Sequence, residues 1–155
     1  MDDWSFSRRV FARGALTVPA VGISLANQAG AAPTNNVEIV LAFCKAGQAR
    51  DVEAQLAFIP EDGTYHNMPD PIIVGKPAIR ALLTGYLTGS DATEIIVKNI
   101  SEAKSGTVLT ERLDRFRTKG KWIDCPVMGA AEIENGKIKH WRDYYDNLYL
   151  RAQMS

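Results

Sequence analysis

Two aspartates, one arginine and a Tyr-x-Asn pair are the residues of this chain whose types and spacing suit acid–base chemistry. Arg112 and Asp114 lie two apart in "VLTERLDRFR". In a strand, residues i and i+2 share a face, so Arg112 and Asp114 stand together with Val108, Thr110 and Phe116. The same count in "WRDYYD" groups Trp141, Asp143 and Tyr145, which puts a carboxylate between two aromatics. In "YHNMPDP", Tyr65 and Asn67 share a face. An ionised carboxylate buried alone is costly, so such groups are normally paired. The economical arrangement is Asp114–Arg112–Asp143, with the planar guanidinium reaching both carboxylates. Residue by residue, the same spacings also suit exposed strands, where an Arg–Asp pair contributes little. Periodicity alone favours that simpler reading for each of them. His66 and His140 read as surface or hydrogen-bonded side chains.

The elements that must position these residues are legible as a coarse pattern. Asn35-x-x-Glu38 reads as a capping box, followed by Val37, Val40, Leu41 and Cys44 at helical spacing. A second helix is expected over 51–58, with Val52, Leu56 and Phe58 inward and Pro60 as its stop. A short strand carries Thr64 to Met68. "GKPAIRALLTGYL" reads as a third helix, with Pro77 in its first turn and Ile79, Leu82, Leu83 and Tyr86 on one side. After Gly89 come four β-rich runs separated by "KSG", "TKGK" and "ENG". Asn135-Gly136 is the strongest hairpin signal among them. A short helix follows from Asn147. Helices first and an antiparallel meander later imply an α+β domain whose curved sheet wraps over the helices.

Composition narrows the function. The 155 residues suit one domain, and 18 basic residues balance 18 acidic ones. With no basic stripe, nucleic acid is not an expected partner. Cys44 and Cys125 form no CxxC, and with two histidines they make no recognisable metal-ligand spacing. Both sit in apolar surroundings and read as buried free thiols, with a disulfide as the alternative. There is no phosphate-cradling glycine loop and no nucleophile elbow.

Taken together, "YHNMP", "TERLD" and "WRDYYD" resemble, in order and spacing, the three active-site segments of the limonene-1,2-epoxide hydrolase family. The likeness spans most of residues 36–150. It implies an α+β fold of the ketosteroid-isomerase-like superfamily. In that fold a strongly curved mixed sheet forms a cone or half-barrel pocket packed against N-terminal helices, and the protein is usually a homodimer through the sheet. It implies that Asp143 activates a water held with Tyr65 and Asn67. It implies that Asp114 protonates the epoxide oxygen and that Arg112 bridges the two aspartates. The reaction would be one-step hydrolysis of an epoxide to a vicinal diol. No cofactor, metal or covalent ester is needed, and the partners are an apolar epoxide and water. Leu82, Leu83, Tyr86, Ile100 and Met128 are the expected apolar lining. His66, within the water-holding pair, and Asp70, close after it, depart from an apolar setting. Two other readings stand beside this one: isomerase- or cyclase-type proton transfer in the same pocket, and a non-catalytic small-molecule binding module.

The sequence of the first thirty-one residues reads differently from the rest. Arg8-Arg9 precede Val10-Phe11, an uncharged run covers 14–26, and Ala29-Gly30-Ala31 offers a small-x-small cleavage pattern. The order is that of an export signal, and "SRRVF" resembles the twin-arginine motif. The expectation is a signal over 1–31, a catalytic domain over 32–155 and a periplasmic location. The alternative is an N-terminal arm on a cytoplasmic protein.

Overall fold

The computed structural model describes residues 35–154; the export signal expected over 1–31 lies outside them. Three helices and two short strands come first: α1 (Asn36–Gln48), α2 (Val52–Leu56), β1 (Thr64–Met68), β2 (Ile73–Val74) and α3 (Lys76–Thr88). Four long strands and a last helix follow: β3 (Ala92–Glu102), β4 (Val108–Thr118), β5 (Lys121–Glu134), β6 (Lys137–Tyr144) and α4 (Asn147–Met154). The strands make one curved, open six-stranded sheet in the order β2-β1-β6-β5-β4-β3. Among the described residues no helix is long and apolar enough to cross a membrane.

Local chemistry explains the elements. Asn35 caps α1, its Oδ1 accepting from Glu38 N at 2.9 Å, and Asp51 caps α2 through Ala54 N at 2.9 Å. The helix expected over 51–58 is shorter than read. After Leu56 the chain tightens into turns, Phe58 N to Gln55 O and Ile59 N to Leu56 O, which lead into Pro60. In α1 the buried face is Ile39, Val40, Phe43 and Cys44; Leu41 is exposed. The run "VEIVLAFC" is apolar on several sides, so periodicity left its inward face ambiguous. The β4–β5 and β5–β6 turns place Lys119-Gly120 and Asn135-Gly136 at positive φ, the backbone of tight hairpins. The two residues of β2 are too few to carry a periodic signal, and they escaped the sequence reading.

Antiparallel pairing joins β3, β4, β5 and β6 in a meander, while β1 lies parallel to β6. That parallel pairing matters most for function. It sets Tyr65 beside Trp141 and Asn67 beside Asp143 in register. The helices fill the inner face of the sheet. Val40, Phe43, Leu56, Ile59, Ile79, Val108, Ile138 and Trp141 form the buried core. Phe43 packs on Trp141 with ring centroids 4.6 Å apart, and Tyr65 stacks on the same indole at 6.1 Å. Helix α4 closes back onto β5, where Gln153 bonds both the N–H and the C=O of Asp124, at 2.9 and 2.8 Å.

Candidate active site

Strands β4, β5 and β6 build the site from one face. Directly paired residues share a face, so Arg112 and Val127, Asp114 and Cys125, and Gly129 and Asp143 all point inward. The Arg112 side chain is 2% exposed. Its Nε and Nη2 donate to Asp114 Oδ1 and Oδ2 at 3.2 and 3.0 Å, its Nη2 to Asp143 Oδ1 at 2.9 Å, and its Nη1 to Thr110 Oγ1 at 2.9 Å. The guanidinium carbon lies 5.0 Å from the centre of the Trp141 ring. The other oxygen of Asp143 accepts from Trp141 Nε1 at 2.8 Å. The economical Asp–Arg–Asp arrangement is therefore formed, and the guanidinium makes four hydrogen bonds.

Two residues to which the sequence reading gave no role make this packing feasible. Thr110 takes the Nη1 donor. Gly129 supplies space rather than backbone freedom: a Cβ there would lie 2.6 Å from Thr110 Oγ1 and 3.0 Å from Asp143 Oδ1. The signal for Gly129 was present in "VMGAAE", since an isolated glycine inside a strand marks a close approach. Trp141 was read as a neighbour of Asp143; its role as a hydrogen-bond donor to that carboxylate depends on the rotamers of both.

The electrostatics follow from burial and from this geometry. Burial pushes Asp143 above the ordinary aspartate range, with Arg112 pulling it down, Asp114 pushing it up and the Trp141 donor pulling it down. For Arg112, burial alone would weaken protonation, but the two carboxylates outweigh it and its pKa is raised. Tyr65 is buried, and burial together with Asp143 raises its phenol, so it remains an O–H donor at neutral pH. Cys44 and Cys125 are free and buried, and burial pushes each thiol up to about 12.

A cavity of about 420 Å³ opens onto these groups. Tyr65, Asn67, Asp114 and Asp143 line it, as do Leu83 and Tyr86 of α3. Tyr86 does more than line: its hydroxyl accepts from Asn67 Nδ2. Burial raises its phenol, so it too stays protonated. Three expected lining residues do not line the cavity. Leu82 and Ile100 pack against the core cluster. Met128 is 55% exposed on the opposite face of the sheet, paired with Glu111 and Tyr144, because it sits one residue out of phase with Val127 and Gly129. In their place stand Phe116, Val127, Tyr145, and Leu150 and Met154 of α4. His66 lies between Tyr65 and Asn67 on β1, with Nε2 2.9 Å from the Asp70 carbonyl, and it is absent from the cavity wall. Asp70 itself is exposed.

The chain resembles known epoxide hydrolases in sequence and in fold. Residues 34–155 match the family model of the limonene-1,2-epoxide hydrolase catalytic domain. The chain is 32% identical over 107 residues to epoxide hydrolase EphG of Mycobacterium tuberculosis, covering 69% of this chain and 70% of that protein. The solved structure of an M. tuberculosis epoxide hydrolase of the same type superposes with a TM-score of 0.67 at 28% identity, over 76% of this chain and 87% of that one. A protein of ketosteroid isomerase-like fold from Catenulispora acidiphila superposes at 0.68 with 20% identity, over 75% and 91% of the two chains, a likeness of fold alone.

Proposed function

The chain belongs to the limonene-1,2-epoxide hydrolase family, and from that premise we propose that it hydrolyses an epoxide to a vicinal diol by one-step attack of water. The observation that carries the proposal is the buried Asp114–Arg112–Asp143 bridge facing the cavity beside Tyr65 and Asn67. Asp143 is the base. Both of its oxygens meet N–H donors, from Arg112 and Trp141, which suits the anion, and its burial makes that anion more basic than an exposed aspartate. Water sits between Asp143, the Tyr65 hydroxyl and the Asn67 amide. Tyr86, by accepting from Asn67 Nδ2, leaves the amide oxygen to accept from water. Asp114 is the acid. It takes part in the bridge yet remains 27% exposed toward the cavity, where an oxirane oxygen can reach it.

As water attacks carbon, one of its protons passes to Asp143. The C–O bond breaks on the far side, and the oxygen takes the Asp114 proton. Afterwards Asp143 holds a proton and Asp114 lacks one, and exchange with solvent resets the pair. With one proton shared by the two carboxyls, the cluster around the guanidinium carries no net charge. Fixed placement of acid and base replaces what a free acid and base would have to find by collision. A proton transfer at carbon, as in an isomerase or cyclase, has no use for the Tyr65–Asn67 pair.

The test is diol formation from a panel of cyclic and aryl epoxides by the parent and by Asp143→Asn and Asp114→Asn. Single turnover in heavy-oxygen water distinguishes direct attack, which labels the diol, from an ester route, which labels the protein first. A parent inactive on the whole panel overturns the reading. A homodimer through the outer sheet face and export to the periplasm belong to the same proposal. Leu109, Met128 and Tyr144 stand exposed on that face.

A further inference from the structure

One buried polar side chain in the cavity has no part in this chemistry. Gln55 on α2 is 8% exposed and lines the cavity. Its side-chain amide makes no hydrogen bond among the described residues, and it takes no part in the hydrogen bonds of the Asp–Arg–Asp bridge or of Asn67. Nor is it sealed in the core: the one sealed, unpaired side-chain nitrogen or oxygen among the described residues is Arg117 Nε. The amide therefore opens into the cavity. A buried polar group left unpaired costs its full desolvation, so such a group is retained where something else supplies the partner.

The wall around Gln55 makes room for its amide. Gly47, at the end of α1, lines the cavity next to it. A Cβ at position 47 would fall 2.8 Å from Gln55 Nε2 and 3.0 Å from Ile95 Cδ1. Any larger residue at 47 would push the amide out of its place. Val52, Leu83 and Ile95 give the rest of this region apolar walls. The result is a polar tip set in an apolar surface, and those few polar groups are what orient a small ligand in such a pocket.

We propose that Gln55 is a specificity-determining residue that binds an oxygen substituent, a hydroxyl or a carbonyl, borne by the substrate away from the oxirane. The inference rests on the epoxide-hydrolase reading and narrows its substrate class from plain hydrocarbon epoxides to oxygenated ones. The amide both donates and accepts, so a hydroxyl can satisfy both of its sides. A hydrocarbon at the same place leaves the amide unpaired, and a site of this kind discriminates against the analogue lacking the polar group.

The experiment uses the full chain and a matched pair of substrates, epoxycyclohexylmethanol and ethylcyclohexene oxide, which differ only in a hydroxyl for a methyl. The parent should prefer the alcohol in kcat/KM by about tenfold. Gln55→Met keeps the length and removes the amide. It should lose that preference, the two substrates converging in kcat/KM. Equal rates on both substrates in the parent, or an unchanged preference in Gln55→Met, overturn the assignment. Calorimetric binding of the two product diols, made chemically, reads the same contact without turnover. Tighter binding of the hydroxymethyl diol by the parent, reduced in Gln55→Met, supports the site; equal affinity overturns it. If neither epoxide is hydrolysed, the proposed reaction falls, and the diol measurement still decides the role of Gln55. Should Gln55→Met fail to fold, the preference of the parent remains decisive.

Discussion

Asp143 stands between two donors and against a buried indole, and each contact has a measurable consequence. In the proposed mechanism its raised pKa sets the acid limb of the reaction. A base must be ionised, so kcat/KM should fall as pH drops through that pKa, at a pH above the ordinary value of 3.8. Trp141 donates to the anion and pulls the pKa down. Trp141→Phe should therefore move the acid limb to still higher pH, read from a kcat/KM profile. For stability the sign is opposite to that of a salt-bridged surface aspartate. The folded state holds the Asp143 proton more tightly than the unfolded chain does. Its contribution favours folding below the unfolded value and is lost as pH rises through the folded one. Removing Arg112 leaves Asp143 buried without its cation. Arg112→Met should cost about 3–5 kcal/mol in urea unfolding at neutral pH, and less in acid, where the carboxyl takes a proton. Asp143→Asn and Asp114→Asn should each lower turnover about 10²- to 10⁴-fold, the range for losing one acid–base partner. The proposed roles of these residues came from the order of three motifs. The Asp114–Arg112–Asp143 pairing was expected from the cost of a lone buried charge; alternation gives a face and not a partner, so the structure was needed to show the bonds.

At the scale of elements, the packing of β5 against the guanidinium is the critical fit. Gly129→Ala would bring a methyl against Thr110 and Asp143. It should destabilise by about 1–3 kcal/mol, as overpacking does, and disable the site with it. The contrasting change is Gly85→Ala in α3, where an added Cβ meets nothing within 4 Å. There the gain in helix propensity should stabilise by about 0.5–1 kcal/mol. Thermal melting of both variants checks the pair. The elements themselves were largely legible, as were the cap at Asn35, the Asn135-Gly136 turn and the four long strands. The lining was less so. Met128 failed by one position of strand phase. Leu82 and Ile100 failed because an apolar residue on the inner side of an element can pack into the core or face the cavity. Leu150 and Met154 carried no signal at all, since α4 reaches the cavity only by folding back onto β5.

For the whole molecule, the inner face of the sheet is committed to core and cavity, which leaves the outer face to explain. Ile96, Leu109, Met128 and Tyr144 are exposed there, beside charged Glu111 and Lys98. An apolar group of this kind on an outer sheet face suits a second copy of the chain. Light scattering of the parent should give twice the chain mass. Met128→Asp should shift it toward the monomer while leaving the inner-face bridge untouched.

The sequence by itself determined the α+β class, the order of elements and the polar residues proposed for acid–base work. Those rest on period, capping and turn chemistry and on three short motifs, all local in the chain. Only the tertiary structure decided that Arg112 joins Asp114 to Asp143, that β1 runs parallel to β6 and brings Asn67 beside Asp143, and that Gln55 is left open in the cavity. Each of these depends on residues brought together across the chain by sheet register and helix docking. A period of two or of 3.6 residues says which way a side chain points, and packing alone says what it meets.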